Sequence, residues 1–151
     1  MWAKRGKQPV VKSAPTQEKI ALAGFVNPIT GILKTYECGM FNFESITDMV
    51  KQFSESDSNV DKKKLIILDN APWHKKAVRL MRENEDFSRI EFLFLPTYSP
   101  DLNPIERVWR ITRKERTHNR YFDKVQALRN TLTIFFTQFM NPNAKLKNLC
   151  S

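Results

Sequence analysis

Two acidic residues occupy positions in the sequence from which a metal-dependent reaction could be carried out. Asp69 comes directly after the apolar run LIIL at 65–68, and Glu106 stands near the start of a later predicted helix. In open α/β sheets, functional groups gather beyond the carboxyl ends of the strands. The segment between them, residues 70–105, is long enough for a helix and a strand, so both carboxylates can reach the same edge of a sheet.

Two converging carboxylates repel each other unless a cation or a proton lies between them. Mg²⁺ and Mn²⁺ accept oxygen ligands of this kind. A pair of such ions about 4 Å apart can activate water and stabilise a leaving oxygen in phosphodiester cleavage. The two residues therefore predict a nuclease-type site in which Asp69 and Glu106 are the catalytic metal ligands.

Each of these residues also has a purely structural explanation. Asp69 can begin the turn that ends its strand, because aspartate side chains accept hydrogen bonds from the backbone two residues on. In the string NPIE, Asn103 suits a helix N-cap and Glu106 falls at the third helical position, where a capping-box side chain reaches back. His74 can be an ordinary residue of a helix start or a supporting residue of the site. The sequence leaves these alternatives open.

Basic residues stand beside both acidic positions. Two of them follow Glu106 at four- and seven-residue spacing and so share its helix face, and others lie in the helix predicted after Asp69. The candidate phosphate contacts are Lys75, Lys76, Arg107, Arg110 and Arg113. A solvated helix face carries similar charge, but positive charge flanking both acidic positions is what a phosphate backbone requires.

The overall composition favours a polyanionic partner. The chain has 151 residues, enough for one compact domain, and 41% of them are hydrophobic, as in a globular protein. Its formal net charge is +9 at pH 7. An excess of this size makes nucleic acid the leading candidate partner.

The cysteines and the apolar segments argue against other classes of protein. Cys38 and Cys150 have no second cysteine or histidine at two-residue spacing, which argues against a zinc site and favours free thiols in a reducing compartment. No apolar run follows the basic first residues, and none approaches the roughly 20 residues that span a bilayer. We therefore expect a cytoplasmic, nucleoid-associated protein without a membrane segment.

The first part of the chain is predicted to contain an arm, a hairpin and a helix. Residues 1–18 are basic and contain two prolines, which predicts an arm without a long regular element. Strand-like segments at 19–26 and 32–38 are joined by NPITG, which suits a hairpin turn. Apolar residues at helical spacing over 43–54, behind Asn42 as a cap, predict an amphipathic helix.

The second part of the chain alternates strands and helices. The predicted elements are strands at 65–68 and 89–96, each buried on both faces, helices at 72–85, 104–117 and 123–140, and a polar tail at 141–151. Strands separated by helices pair in parallel, which gives a mixed α/β order.

Two strings in this part of the chain resemble a known family. LIILDNAPWHKK at 65–76 and LFLPTYSPDLNPIERVW at 93–109, together with THNRYF at 117–122, closely resemble the catalytic domain of mariner-superfamily transposases. The resemblance is closest to the bacterial insertion-sequence branch. Roughly residues 2–130 can be laid along the family pattern.

The resemblance implies a ribonuclease-H-like fold and cut-and-paste DNA transposition with two divalent metal ions, Mg²⁺ or Mn²⁺, and three acidic ligands. Asp69 takes the second acidic position and Glu106 the third. Asn70, His74 and Asn103 are expected to support the site. The implied partners are the DNA of transposon ends and a TA target.

The start of the sequence departs from the family pattern. In the family the first catalytic aspartate ends the first strand, upstream of the segment that WAKRGKQP resembles, whereas this sequence begins at Met1. We therefore expect a partial ribonuclease-H-like domain over 19–140, a mixed sheet flanked by helices that lacks its first, central strand.

Three functions are compatible with this departure. The chain can be the catalytic portion of a transposase that is incomplete alone, with the missing aspartate supplied by an upstream-encoded portion or a full-length transposase. It can be a non-catalytic DNA-binding or inhibitory fragment. It can also be an inactive remnant.

Overall fold

The computed structural model of the protein describes residues 10–12, 18–57 and 61–151. The strands are β1 (Val10–Lys12), β2 (Lys19–Asn27), β3 (Ile32–Cys38), β4 (Lys64–Leu68) and β5 (Ile90–Phe94). The α-helices are α1 (Phe43–Glu55), α2 (Pro72–Arg82), α3 (Pro104–Thr112), α4 (Val125–Thr137) and α5 (Ala144–Cys150). The basic arm predicted at 1–18 lies outside the described residues, except for β1 and Glu18.

The chain divides into two compact units. Residues Met1–Gly39 and Pro104–Ser151 form one, here called the terminal unit, and Met40–Asn103 form the other, the central unit. The terminal unit is discontinuous in sequence, so residues from the first and last parts of the chain pack in one core.

The terminal unit contains the predicted hairpin. Strand β2 pairs antiparallel with β3, and β1 adds to the other edge of β2 in antiparallel orientation. In the NPITG turn, the Asn27 carboxamide oxygen accepts the Ile29 N–H at 2.9 Å, and Gly31 adopts a φ of 74°. Glycine takes this left-handed conformation without the steric cost that a Cβ brings.

Helix α4 supplies much of the core of the terminal unit, as the apolar stripe predicts. The buried members are Leu128, Leu132, Phe135, Phe136 and Phe139, joined by Ile20, Leu33, Ile105, Val108 and Trp109 from the sheet and α3. Val125, predicted in the same stripe, is only partly buried. Edge-to-face ring pairs hold the centre, including Phe135 with Phe139 at a centroid distance of 5.4 Å.

The segment 141–151, expected to be a polar tail, contains helix α5. The Asn143 side chain accepts the Leu146 N–H at 3.0 Å and caps the helix. Leu146 and Cys150 are buried in the same core as α4. Two apolar side chains four residues apart are enough to bind one helix face to the core, and the polar residues around them concealed this face in the sequence.

The predicted helix over 104–117 changes its hydrogen-bonding pattern part-way along. Helix α3 ends at Thr112, and residues Arg113–Thr117 form a π-helical turn. The His118 N–H donates to the Arg113 carbonyl at 2.7 Å, an i to i+5 bond that defines such a turn.

The central unit contains the predicted parallel strands and two helices. Strand β4 pairs in parallel with β5, with Ile66 opposite Phe92. Helix α1 begins at a capping box in which Asn42 and Ser45 exchange hydrogen bonds, and α1 packs against α2. The expected helix after Asp69 is thus confirmed, as is the cap of α1.

The prediction that β4 and β5 are buried on both faces is wrong. Ile66 and Phe92 are buried, but Leu65, Ile67 and Leu93 are at least half exposed. Successive side chains of a strand point to opposite faces, so one face of this two-stranded sheet is covered and the other is open. The expected single mixed sheet is also divided: among the described residues, β1–β2–β3 and β4–β5 are separate sheets.

Candidate active site

Asp69 lies at the carboxyl end of β4, where the strand gives way to the turn before α2. Its Oδ1 atom accepts the Ala71 N–H at 3.1 Å, so the turn-forming role that the sequence offered is realised. Pro72 then begins α2, where its fixed φ suits the first helical position. The turn places the Asp69 carboxylate between the end of β4 and the first turn of α2.

His74 holds the same carboxylate oxygen. Its Nδ1 lies 2.6 Å from Asp69 Oδ1, and its side chain is only 6% exposed. An ionised carboxylate can only accept hydrogen bonds, so Nδ1 carries the proton of this bond. His74 is therefore a buried partner of Asp69 rather than an ordinary residue of a helix start.

The surroundings of Asp69 favour its charged form. Burial is the largest single influence and raises the pKa of the carboxyl, but the hydrogen bond and charge interaction with His74 and the bond from Ala71 N–H together outweigh it. The net pKa lies below the ordinary aspartate value. Among the described residues, Oδ2 accepts no hydrogen bond. An ionised carboxylate with one oxygen held and one available suits a hard divalent cation.

Asn70 joins the end of β4 to the end of β5. Its Nδ2 donates to the Leu95 carbonyl, and the Leu95 N–H donates to the Leu68 carbonyl at 2.8 Å. These bonds extend the parallel pairing to the residue where the next loop begins. Asn70 thus fixes the start of the loop that follows β5.

Glu106 lies in the terminal unit, in the first turn of α3, and is partly buried. Asn103 before it has an extended backbone, with φ −90° and ψ 106°, which is compatible with an N-cap. Gly24 of β2 permits close approach of this helix, because a Cβ there would lie 2.9 Å from Ile105 Cδ1 and 3.0 Å from the Trp109 ring. The apolar face of α3 is therefore packed on the sheet.

The carboxyl end of the chain secures α3. Arg107 Nη1 donates to the Leu149 carbonyl at 3.1 Å and to the Ser151 carbonyl at 2.9 Å. Predicted as a phosphate contact, Arg107 instead binds the orphan carbonyls at the end of α5. Its charge is already paired with backbone dipoles, so we do not retain it among the phosphate contacts.

The other predicted phosphate contacts differ in exposure. Lys75 and Lys76 are exposed on α2, with Lys76 Nζ 3.8 Å from the centroid of the Phe43 ring. Arg110 is exposed on α3, whereas Arg113 is partly buried in the π-helical turn. Lys75 and Arg110 are therefore the most accessible to a phosphate among these residues.

The described part of the chain has neither a cluster of metal-ligating residues nor a membrane-spanning helix. No group of three or more His, Cys, Asp or Glu residues is placed to hold a metal ion there. None of the helices there is long and apolar enough to cross a membrane. In the described part of the chain Cys38 and Cys150 form no disulfide, in agreement with the expected thiols.

A family model described as DDE superfamily endonuclease matches residues 1–129. The chain belongs to the DDE superfamily endonucleases. This DDE endonuclease chain is 40% identical over 58 residues to the uncharacterized protein y4pE/y4sA of Sinorhizobium fredii (strain NBRC 101917 / NGR234), covering 38% of this chain and 39% of that protein.

The fold of the DDE endonuclease chain is similar to that of a chain in the crystal structure of the Mos1 strand transfer complex. The TM-score is 0.61 at 19% identity, and the match covers 93% of this chain and 43% of the other. The chain thus spans less than half the length of both proteins. The family model establishes the DDE endonuclease family, and the structural match establishes the similarity of the α/β fold.

The pairing of His74 with Asp69 is the main feature that the sequence analysis did not resolve. A histidine five residues after an acidic strand end, within the first turn of a helix that Pro72 begins, is the signal that could have identified it. Asp69, Asn70 and His74 are brought together in the central unit. Glu106 belongs to the terminal unit.

Proposed function

We propose that this chain is the catalytic-domain portion of a DNA transposase, with a ribonuclease-H-like fold, that cuts and joins DNA strands at transposon ends. The observation that carries the proposal is Asp69: an ionised carboxylate at the end of a parallel strand, with Oδ1 held by His74. Membership of the DDE endonucleases supports the assignment of this carboxylate to metal-dependent DNA cleavage.

The proposed metal ligands are Asp69 and Glu106, and the third acidic ligand would come from an upstream-encoded portion or a full-length transposase. Mg²⁺ or Mn²⁺ bound by these carboxylates would activate the attacking oxygen and stabilise the leaving one. Within the chain, His74 holds Asp69 Oδ1, Asn70 holds the adjoining loop, and α3 carries Glu106 on the core of the terminal unit.

The proposed DNA contacts are the basic side chains of α2 and of the segment from α3 onwards. Lys75, Lys76, Arg110 and Arg113 would bind phosphates, which fixes the position of the strand and carries no sequence information. By family resemblance the substrate is a transposon end and the target a TA step, in a cytoplasmic, nucleoid-associated protein. Lys75→Ala and Arg110→Ala should each weaken DNA binding to all sequences alike and reduce its salt dependence.

The proposal is tested by metal binding and by strand cleavage. Mn²⁺ titration followed by electron paramagnetic resonance should give tighter binding to the wild-type chain than to Asp69→Asn or Glu106→Gln. Nicking of transposon-end DNA in Mg²⁺ or Mn²⁺ should appear when the upstream portion is supplied and be lost in Asp69→Asn. Asp86→Asn, a substitution in the exposed turn after α2, is the matched control.

A second candidate function is a non-catalytic DNA-binding or inhibitory fragment. It is favoured by the net charge of +9, which suits a polyanionic partner whether or not the chain cleaves DNA. This function predicts salt-sensitive DNA binding without any nicking, and inhibition of full-length transposase. Nicking that survives Asp69→Asn would contradict the site proposed above.

A further inference from the structure

The loop after β5 presents one tyrosine in an unusual way. The Tyr98 side chain is 94% exposed, yet its backbone has a φ of 59°, in the left-handed region. A Cβ makes this conformation unfavourable, and a bulky residue rarely adopts it. Asn119 has a similar φ of 55°, but asparagine tolerates it well. Backbone strain of this kind is typical of residues that a binding site holds in place.

The loop that carries Tyr98 starts at Asp69's end of the sheet. Leu95, at the start of the loop, is hydrogen-bonded through its N–H to the Leu68 carbonyl and through its own carbonyl to the Asn70 side chain. Three residues of chain span at most about 11 Å, which bounds the distance from the Cα of Leu95 to that of Tyr98. The Cα of Tyr98 therefore lies within about 11 Å of that of Leu95, whose N–H is bonded to the residue that precedes Asp69.

The rest of the loop is restrained rather than loose. Pro96 and Pro100 stand on either side of Tyr98, and each proline fixes its own φ. The Leu102 N–H donates to the Ser99 carbonyl at 3.2 Å, and a short 3-10 turn follows at Pro100–Leu102. Because the loop is already restrained, little conformational entropy is lost when a ligand stacks on the exposed ring.

An exposed aromatic ring and a positively charged helix in the same unit match the chemistry of an unpaired DNA strand. Helix α2 of the same unit carries exposed Lys75 and Arg79, which suit phosphates, while a tyrosine ring suits the face of a base. We propose that Tyr98 stacks on a nucleobase of a single DNA strand whose backbone passes Asp69. This inference rests on the proposed function and deepens it, because it assigns the site an unpaired strand as ligand.

The test is DNA binding by the full chain without divalent metal. Fluorescence anisotropy with a labelled single-stranded oligonucleotide, in EDTA and low salt, should show about 5- to 150-fold weaker binding by Tyr98→Ala, the range expected for loss of one stacked base. Tyr98→Phe keeps the ring and should keep the affinity. Tyr121→Ala, which removes another well-exposed tyrosine ring, is the matched control and should bind as wild type does.

Two further measurements separate stacking from loss of structure. Tyr98→Gly should weaken binding as much as Tyr98→Ala while unfolding at no lower urea concentration than wild type, because glycine adopts the positive φ freely. With an oligonucleotide that lacks its bases, wild type and Tyr98→Ala should bind equally, since only phosphate contacts remain. An equal loss on both oligonucleotides, or no loss on either, overturns the inference.

The outcomes for the two proposals are distinguishable. If Asp69-dependent nicking is found but Tyr98→Ala binds like wild type, the stacking inference fails and the proposed function stands. If the base-dependent loss is found without metal binding or nicking, the cleavage function fails and the strand-binding surface stands. Absence of any DNA binding by the wild-type chain overturns both.

Discussion

Replacing His74 by alanine is expected to destabilise the protein through the loss of its bond to Asp69. The Nδ1–Oδ1 distance is 2.6 Å, and the two side chains are 6% and 30% exposed. A hydrogen bond to a charged group contributes about 1.5–3 kcal/mol, compared with about 0.2–1 kcal/mol for an exposed ion pair. Because this pair is mostly shielded from water, we expect a coupling free energy in the first range.

A double-mutant cycle isolates this coupling from the cavity that the imidazole leaves. Urea unfolding at pH 7 of wild type, His74→Ala, Asp69→Ala and the double variant gives the coupling free energy between the two side chains. The Asp69–Ala71 bond is lost in both variants that carry Asp69→Ala, so its contribution cancels. His74→Asn, which keeps a side-chain N–H near Nδ1, should recover part of the loss. His118→Ala, at an exposed histidine, should change the unfolding free energy by less than about 0.5 kcal/mol. A coupling below about 1 kcal/mol, within the range of exposed ion pairs, would refute the argument.

The pH dependence gives an independent check on the same pair. The pKa of Asp69 is lowered in the folded protein, so its contribution to stability is fully present above the ordinary aspartate pKa of about 3.9 and is lost as the pH falls through the folded value. The difference in unfolding free energy between wild type and Asp69→Ala should therefore shrink on acidification below about pH 4. A difference that stays constant down to pH 2 would mean that the charged form is not the one stabilised.

Three other perturbations test the fold that positions the site. Gly31→Ala should lower the unfolding free energy by more than about 1–2 kcal/mol in a urea titration, because φ is 74° and the new Cβ would meet a backbone oxygen at 2.1 Å. Gly39→Ala, with open space around the new Cβ, should be nearly neutral in the same titration. Arg107→Ala should cost about 1–2 kcal/mol by releasing the carbonyl of Leu149 in α5 and that of Ser151 directly after it, and hydrogen exchange should show faster opening of that helix. Glu37→Gln should lower the unfolding free energy at neutral pH and have less effect in acid, because the hydrogen bond from Arg129 outweighs the effect of burial and lowers the pKa of Glu37. In urea titrations at several pH values, a loss of stability that grows on acidification would contradict this prediction.

The local patterns of the sequence predicted most of the elements correctly. The hairpin around NPITG, the cap of α1, the start of α2 at Pro72 and the parallel pairing of β4 with β5 follow from turn chemistry and apolar periodicity. These signals act over a few residues, and so they can be seen without knowledge of the fold. The stripe on α4 likewise identified a core that the structure confirms.

Other features depend on residues far apart in sequence and could not be predicted from it. Helix α5 has only two buried side chains, and its attachment comes from Arg107 and the core of a unit that begins near the other end of the chain. The open face of β4 and β5 reflects which elements cover the sheet, and an apolar run such as LIIL contains no information on that point. Exposure is a property of the assembled fold.

For the candidate site, the sequence by itself determined the chemical groups: a carboxylate at a strand end, a second one at a helix start and basic residues beside both. Only the tertiary structure decided that His74 is buried against Asp69, that Arg107 is occupied by α5 and that Tyr98 is held exposed in a left-handed conformation. The physical reason is that residue type sets what a group can bind, whereas burial and hydrogen-bond partners set its charge state and its availability.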